Sequence, residues 1–159
     1  MQERAGIFSE PTEEMWMWEG NELIDSRGEV IAEVRTDLIY HGAERMLVES
    51  SPGPFRFRAR ATNANGDVFT LSQESRTVHR LKAECAGRKY TLERVSLWRK
   101  ERRILTAEGQ EAIRVRPLVS GRVEVISGKA GNTLPTLDAI FLTWVCVLVD
   151  SPVRRPRLA

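Results

Sequence analysis

The pattern of hydrophobic and polar residues near the C-terminus differs from that of the rest of the chain, because the longest apolar run lies there. Residues 134–149 read LPTLDAIFLTWVCVLV, and Thr143 is the only polar residue between Asp138 and Asp150. At about 100° per residue, the apolar side chains cover the whole circumference of a helix. A helix of this kind must be surrounded by protein. The pattern therefore predicts a buried helix over residues 134–149, with the rest of the chain forming a shell around it.

Two other interpretations of this run compete with the buried helix. A transmembrane helix needs about 20 apolar residues, and the flanking aspartates would be expensive in or near lipid. A buried strand would suit the β-branched residues of Trp144–Val149, although the run is long for a strand. The helix is favoured because Thr133 can cap it and Pro135 suits its first turn. In such a helix the Thr143 hydroxyl can donate a hydrogen bond to the carbonyl of Ala139.

Before residue 130 the apolar residues follow the period of two that is typical of β-strands. The clearest strand is FRFRARAT, residues 55–62, in which Arg56, Arg58 and Arg60 point away from the phenylalanines and alanines. The segments DSRGEV, NANGDV and TAEGQE each carry a glycine at the end of a short turn, which predicts three-residue hairpin loops. The expected opposite pairs are Ile24 with Val30, Leu23 with Ile31, Ala61 with Phe69 and Ala59 with Leu71.

The order of these elements leaves few architectures. No amphipathic helical period precedes residue 130, so parallel βαβ units are not expected. About ten short strands and one all-apolar helix predict a closed antiparallel β-barrel, which removes the sheet edges, with the helix through its centre. Trp16 and Trp18 either share one strand face or pack a short segment over the barrel wall, and Thr36–Glu44 is expected to be irregular.

The length and composition indicate one ordinary domain. The chain has 159 residues, of which 42% are hydrophobic and 29% charged, with two scattered cysteines. The net charge of +2 is too small to indicate a nucleic-acid partner. The cysteines form neither a disulfide framework nor a zinc site, and no secretory signal is visible at the N-terminus. We expect a cytoplasmic protein with no membrane-spanning segment. The expected parts are a flexible lead-in over residues 1–14, a barrel domain over residues 15–152 and a basic flexible tail over residues 153–159.

Catalytic chemistry is not indicated by the residues that could carry it. Neither His41 nor His79 has an identifiable partner, as a general base requires. Cys85 and Cys146 belong to no Cys–His–acid arrangement. The sequence contains no GxGxxG, P-loop or CxxC motif. We therefore predict a protein that is not an enzyme and has no metal site and no cofactor.

Two groups of basic residues are candidates for binding an anion. The ladder of Arg56, Arg58 and Arg60 has a spacing of about 7 Å along one strand face and could follow phosphates. The alternative is a solvated face that pairs with glutamates on the neighbouring strands. The second group is the segment WRKERR, where a tryptophan stands beside four cations, and its candidate residues are Trp98, Arg99, Lys100, Arg102 and Arg103.

The WRKERR segment has three interpretations. Tryptophan together with basic side chains favours an anionic membrane surface. The same residues could stack a base along a phosphate track. The third interpretation is a solvated turn with no ligand.

The segments IDSRGEVIAEV, ATNANGDVFTLSQ and LDAIFLTWVCVLVDS follow a pattern of short strands, polar-glycine turns and one final hydrophobic helix. In this order of elements the chain resembles the tubby C-terminal-like superfamily, and within it the LURP-one-related and phospholipid-scramblase branch. The resemblance covers residues 15–152. It implies a barrel of about twelve strands with the C-terminal helix threaded through it.

Tubby proteins bind phosphoinositide headgroups through basic surface residues, and scramblases move lipids at membranes. The resemblance therefore implies a non-enzymatic module that binds anionic phospholipid headgroups, in the cytoplasm or peripherally at a membrane. The alternative is a structural or protein-interaction domain that binds no lipid. A small-ligand site in the lumen is not expected, because the helix fills it.

Overall fold

The computed structural model describes residues 15–52 and 57–150. The predicted lead-in, Arg56 of the arginine ladder and the predicted basic tail lie outside these residues. Within them the chain forms twelve β-strands followed by one α-helix. The elements are β1 (Met15–Glu19), β2 (Glu22–Ile24), β3 (Val30–Arg35), β4 (Leu38–His41), β5 (Glu44–Pro52), β6 (Phe57–Asn63), β7 (Val68–Gln73), β8 (Arg80–Cys85), β9 (Arg88–Arg94), β10 (Arg102–Leu105), β11 (Glu111–Pro117), β12 (Val123–Ser127) and α1 (Thr136–Asp150).

The strands form a closed antiparallel barrel. Each strand pairs with the strands that precede and follow it in the chain, and β1 pairs with β12 to close the sheet. The alternation of buried and exposed residues along most strands places the apolar side chains inside. In β6, for example, Phe57, Ala59 and Ala61 are buried, whereas Arg58 and Arg60 are exposed. The predicted fold class, a mainly β closed barrel with one C-terminal helix, is confirmed.

Helix α1 lies inside the barrel. Trp144 packs on Trp18 of β1 with ring centroids 4.9 Å apart, and Phe141 packs on Phe69 of β7 at 5.7 Å. Because β1 and β7 are on opposite sides of the closed strand order, only a helix between them makes both contacts. Twelve of the fifteen residues of α1 are buried. Trp16 and Trp18 share the inner face of β1, so the first interpretation of these two residues is confirmed.

The polar residue in the middle of α1 has its hydrogen bonds satisfied. The Thr143 hydroxyl donates to the Ala139 carbonyl at 2.8 Å, as predicted, and accepts from Trp18 Nε1 at 2.8 Å. A buried hydroxyl that both donates and accepts carries little penalty. The capping prediction for Thr133 is wrong, because its hydroxyl donates to the Ala130 carbonyl at 2.7 Å in a 3-10 turn that precedes α1.

The three glycine loops predicted from the sequence share one geometry. Gly28, Gly66 and Gly109 have φ angles of +85°, +83° and +85°, a conformation that strains any residue with a side chain. In each loop the glycine N–H donates to the carbonyl three residues earlier, at 2.9–3.0 Å. The confirmed pairs across these loops are Ile24 with Val30, Ala61 with Phe69 and Ala59 with Leu71.

One register and one segment differ from the predictions. Leu23 lies opposite Ala32 and not Ile31, because a β-bulge next to Leu23 shifts the pairing by one residue. Residues 38–41, which were expected to be irregular, form β4 with Ile39 turned inward. Four residues between two turns are too few for the period of two to be recognised in the sequence.

The two ends of the barrel are named after the aspartates of α1. The helix begins at the Asp138 end and finishes at the Asp150 end. Because the strands alternate in direction, the connections that follow odd-numbered strands lie at the Asp150 end. Loop 95–101, between β9 and β10, and loop 118–122, between β11 and β12, therefore share that end with the last turn of the helix.

Candidate functional site

At the Asp138 end, one buried carboxylate attaches α1 to the barrel wall. Fully buried Asp138 accepts hydrogen bonds from Arg88 Nε at 2.7 Å, from Arg88 Nη2 at 2.8 Å and from the Tyr90 hydroxyl at 2.6 Å. The hydrogen bond to Asp138 raises the pKa of Arg88. Burial, together with the hydrogen bond to Asp138, raises the pKa of Tyr90. Both side chains therefore remain protonated and keep their donor roles at neutral pH.

At the Asp150 end, Asp150, Arg94, Lys100 and Arg102 form a group that we call the Asp150 cluster. Arg102 donates from Nε to Asp150 Oδ2 at 2.5 Å and from Nη2 to Oδ1 at 2.9 Å, and Arg94 Nη2 donates to the same Oδ1 at 2.8 Å. Lys100 Nζ donates to the Asp150 backbone carbonyl at 3.1 Å, at a helix C-terminus that favours a cation. Burial lowers the pKa of Arg102, but hydrogen bonding to Asp150 and its charge outweigh burial and raise it. Arg102 therefore stays charged inside the barrel.

The structure removes Arg102 from the exposed basic candidates. Its side chain is fully buried and binds Asp150, so it is not part of the exposed basic surface. Arg103 points outward and pairs with Glu93 at 2.6 Å, with 43% of its side chain exposed. The sequence carried a signal for the difference, because Arg102 precedes the apolar Ile104 by two residues. Residues two apart in a strand share one face, and here that face is the interior.

Exposed apolar side chains lie beside a cation at the Asp150 end. Leu97 and Trp98 in loop 95–101 are 71% and 91% exposed, and Val119 in loop 118–122 is fully exposed. Arg99 is also exposed and forms no ion pair with any described residue. Leu97, Trp98, Arg99 and Val119 together are called the loop patch. Isolated exposed apolar residues are ordinary, but two adjacent ones with a third at the same end are a candidate contact surface.

The arginine ladder is exposed where the structure describes it. Arg58 and Arg60 point outward from β6, as the alternation predicts. Arg60 lies opposite Glu49 of β5 and Thr70 of β7, yet neither arginine forms an ion pair within residues 15–52 and 57–150. In the described part of the chain, the alternative of a face paired with neighbouring glutamates is therefore not observed.

A cleft of about 400 Å³ opens beside Arg58, where β6 and β7 meet the connection to β8. Arg58 and Arg76 contribute cations to its lining, and Ser72 and Ser75 contribute hydroxyl groups. Glu74 also lines the cleft, but it pairs with Arg80 at 2.8 Å and with Lys82 at 3.7 Å, which offsets its charge. Sequence reasoning missed Arg76, because only the folded connection between β7 and β8 brings it near Arg58.

The described residues contain neither a cluster that could hold a metal ion nor a helix that could span a membrane. Residues 15–52 and 57–150 contain no group of three or more His, Cys, Asp or Glu side chains placed to hold a metal ion. In the same residues, no helix has both the length and the apolar character needed to cross a bilayer. His41 is occupied locally, with Nδ1 at 2.8 Å from the Ile31 carbonyl.

Cys85 and Cys146 are expected to be unreactive in the folded protein. Both are buried, and burial raises the pKa of Cys146 to about 12 and that of Cys85 further above its ordinary value. The thiolate is the reactive form, so at pH 8 the native protein should give no colour with a disulfide reagent, whereas the protein in guanidinium should react at both thiols. Rapid reaction of either thiol in the native protein would contradict the burial of the helix and of the inner face of β8.

The fold and this surface define a class of protein: a mainly β barrel that holds its own C-terminal helix in its lumen and carries the loop patch and the cleft beside Arg58 on its outer surface. Comparisons of the chain with protein-family models, with curated proteins and with solved structures find no match. The resemblance to the tubby C-terminal-like superfamily therefore stays a prediction from the sequence.

Proposed function

We propose that this protein is a non-enzymatic module that binds anionic phospholipid headgroups at a membrane surface, through the Asp150 end of the barrel. The observation that carries the proposal is the loop patch, where Leu97 and Trp98 project beside the unpaired Arg99. The sequence resemblance to the tubby C-terminal-like superfamily supports the same function.

The loop patch combines the two contributions that peripheral membrane binding needs. Burial of apolar surface contributes about 25 cal/mol per Å², and a tryptophan ring suits the level of the lipid headgroups. Each basic side chain near an anionic leaflet adds about 1 kcal/mol, and salt weakens this part. Leu97, Trp98 and Val119 supply the first contribution, and Arg99 supplies the second.

The cleft beside Arg58 is suited to bind the phosphate of a lipid headgroup. Arg58 and Arg76 line it at the Asp150 end, and a guanidinium can donate two parallel hydrogen bonds to one phosphate. Arg60 lies further along β6 and would contribute charge at a distance. Arg102, which the sequence placed among the exposed candidates, has no direct part in this proposal.

A nucleic-acid ligand fits the same surface less well. Sequence-tolerant binding of single strands uses successive aromatic side chains along a basic groove. Among the exposed large apolar residues that the structure describes, Trp98 is the only aromatic one. A second function, docking to a protein partner, uses the same exposed Leu97 and Trp98 but does not require anionic lipid.

Co-sedimentation with vesicles tests the proposal. We expect binding to phosphatidylcholine vesicles that contain phosphatidylserine, little binding to pure phosphatidylcholine, and weaker binding as salt increases. The double variant Leu97→Ser/Trp98→Ser should bind at least about tenfold more weakly, because it removes most of the apolar contribution. Arg58→Ala/Arg60→Ala should reduce the preference for anionic vesicles.

A matched control uses the opposite end of the barrel. Val30 is 52% exposed at the Asp138 end, so Val30→Ser removes a similar kind of surface without touching the loop patch. This variant should bind vesicles as the unaltered protein does. Equal affinity for anionic and neutral vesicles would reject lipid headgroup recognition and favour the protein-interaction alternative.

A further inference from the structure

Two buried donor groups of the Asp150 cluster have no hydrogen-bond partner among the residues that the structure describes. They are Arg94 Nε and Arg102 Nη1, and the Arg102 residue as a whole is fully buried. A buried N–H group without an acceptor costs about 1–3 kcal/mol, and more when the group is charged. Native proteins rarely leave two such donors unpaired in one cluster, so we expect a bound hydrogen-bond acceptor there.

The charges of the cluster are also unbalanced. Two guanidinium groups, those of Arg94 and Arg102, share the single carboxylate of Asp150. The exposed Lys100 donates to the Asp150 backbone carbonyl and does not contact the carboxylate. Uncompensated charge is expensive where water is excluded. The cluster therefore has an excess of positive charge in addition to its unused donors.

The acidic residues next to Arg94 and Arg102 in the sequence, Glu93 and Glu101, form ion pairs with other arginines. Glu93 pairs with Arg103 at 2.6 Å and with Arg80 at 3.3 Å. Glu101 is buried and pairs with Arg114 at 3.2 Å and with Arg116 at 3.5 Å. Neither glutamate is therefore available to neutralise the Asp150 cluster.

The geometry brings the two guanidinium groups together. Arg94 and Arg102 are directly opposite each other on β9 and β10, and both donate to Asp150 Oδ1. Arg102 Nη2 also donates to the Val78 carbonyl, so the nitrogens left without an acceptor are Arg102 Nη1 and Arg94 Nε. Guanidinium groups prefer oxyanions, because their planar donors match two oxygens at once. A water molecule would accept the hydrogen bonds but would leave the charge unbalanced.

We propose that Arg94 and Arg102 form a site for a phosphate group at the Asp150 end, beneath loop 95–101. Arg94 lies at the solvent-facing side of the site, because 14% of its side chain is exposed, whereas the side chain of Arg102 is fully buried. Lys100 links the site to the loop, since it extends from the loop to the Asp150 carbonyl. The phosphate is either free inorganic phosphate or the phosphate of a lipid headgroup, and only the second source rests on the proposed function.

Thermal unfolding in the presence of inorganic phosphate tests the site. A ligand that binds only the folded protein raises Tm in proportion to the logarithm of its concentration. We expect Tm to rise with each tenfold increase in sodium phosphate, compared with sodium chloride at equal ionic strength and pH. Arg94→Met should abolish this rise, and Arg122→Met, at an exposed ion pair with Glu19, should retain it. Identical Tm values in phosphate and in chloride would overturn the proposal.

Calorimetric titration of the unaltered protein with phosphate keeps the test independent of how well the variants fold. We expect saturable binding at one site per chain, and an absence of binding heat with an unchanged Tm would reject the site. Addition of phosphate to the vesicle assay then separates the two sources. Competition with anionic vesicles identifies a headgroup phosphate, and stabilisation without competition identifies a free anion. Failure of vesicle binding alone rejects the proposed function and leaves the phosphate site standing.

Discussion

Trp144→Asp is expected to leave no folded barrel. Trp144 is 2% exposed in the centre of the structure, and its ring packs on Trp18. Truncation of a buried tryptophan costs about 3–5 kcal/mol, and the new carboxylate would be a buried charge without a partner. The sum approaches or exceeds the roughly 5–15 kcal/mol that stabilises a typical domain. Circular dichroism and urea unfolding of the purified variant measure the outcome.

The control for this experiment is the same substitution at a solvent-exposed tryptophan. Trp98 is 91% exposed in loop 95–101, so Trp98→Asp should change the free energy of unfolding by no more than about 0.5 kcal/mol. A cooperative unfolding transition of Trp144→Asp near that of the unaltered protein would show that α1 is not the core of the barrel.

Asp150→Asn is expected to reduce the free energy of unfolding by about 3–5 kcal/mol, the usual effect of breaking a buried ion pair from one side. The variant keeps the size of the side chain but leaves the buried Arg102, and Arg94 beside it, without a counter-charge. The matched control is Glu124→Gln, which breaks an ion pair with the half-exposed Arg116 and should cost about 0–1 kcal/mol. Urea unfolding of both variants compares the two effects directly.

A double variant examines the cause of that loss. Asp150→Leu/Arg102→Met removes both charges of the buried pair and should recover part of the stability lost in Asp150→Asn, because it leaves fewer unpaired buried charges. Equal losses in Asp150→Asn and Glu124→Gln would contradict the assignment of the Asp150 cluster as a buried, charged attachment of α1.

Much of the fold could be predicted because the strongest sequence signals are those of packing. An apolar run with no polar face, as in residues 134–149, has few stable environments, and the interior of a barrel is one of them. The glycine turns set the hairpins, since a residue at the positive φ of Gly66 needs to lack a side chain. The register of Ala59 and Ala61 followed from the same turn.

The predictions that failed depend on local irregularity. The β-bulge at Leu23 adds one residue to a strand without any change in the apolar pattern that would reveal it. Strand β4 is too short for its period to be recognised. Thr133 has the residue type of a cap, but the 3-10 turn before α1 uses its hydroxyl at Ala130.

The candidate site was less predictable than the fold. The basic run from Trp98 to Arg103 was treated as one surface, but the turn into β10 sends Arg102 inward and leaves Trp98 and Arg99 outside. The presence of a charge does not by itself show whether a side chain lies on the inner or the outer face of a strand. Arg94 is not recognisable from the sequence because its role depends on the end of α1 lying beside the β9–β10 hairpin. Val119 is not recognisable because the alternating strand directions bring its loop to the same end as loop 95–101.

The closure of the barrel by β1 and β12 also imposes an order on its assembly. Met15 pairs with Ile126, so the two strands that complete the wall are nearly the first and the last to be synthesised. Helix α1 follows both in the chain, yet it occupies the interior. We therefore expect the seam between β1 and β12, which joins the strands furthest apart in the chain, to close after α1 has entered the barrel. Pairing between such distant segments is slow compared with the formation of hairpins, so we expect the docking of β1 on β12 to be among the last steps of folding.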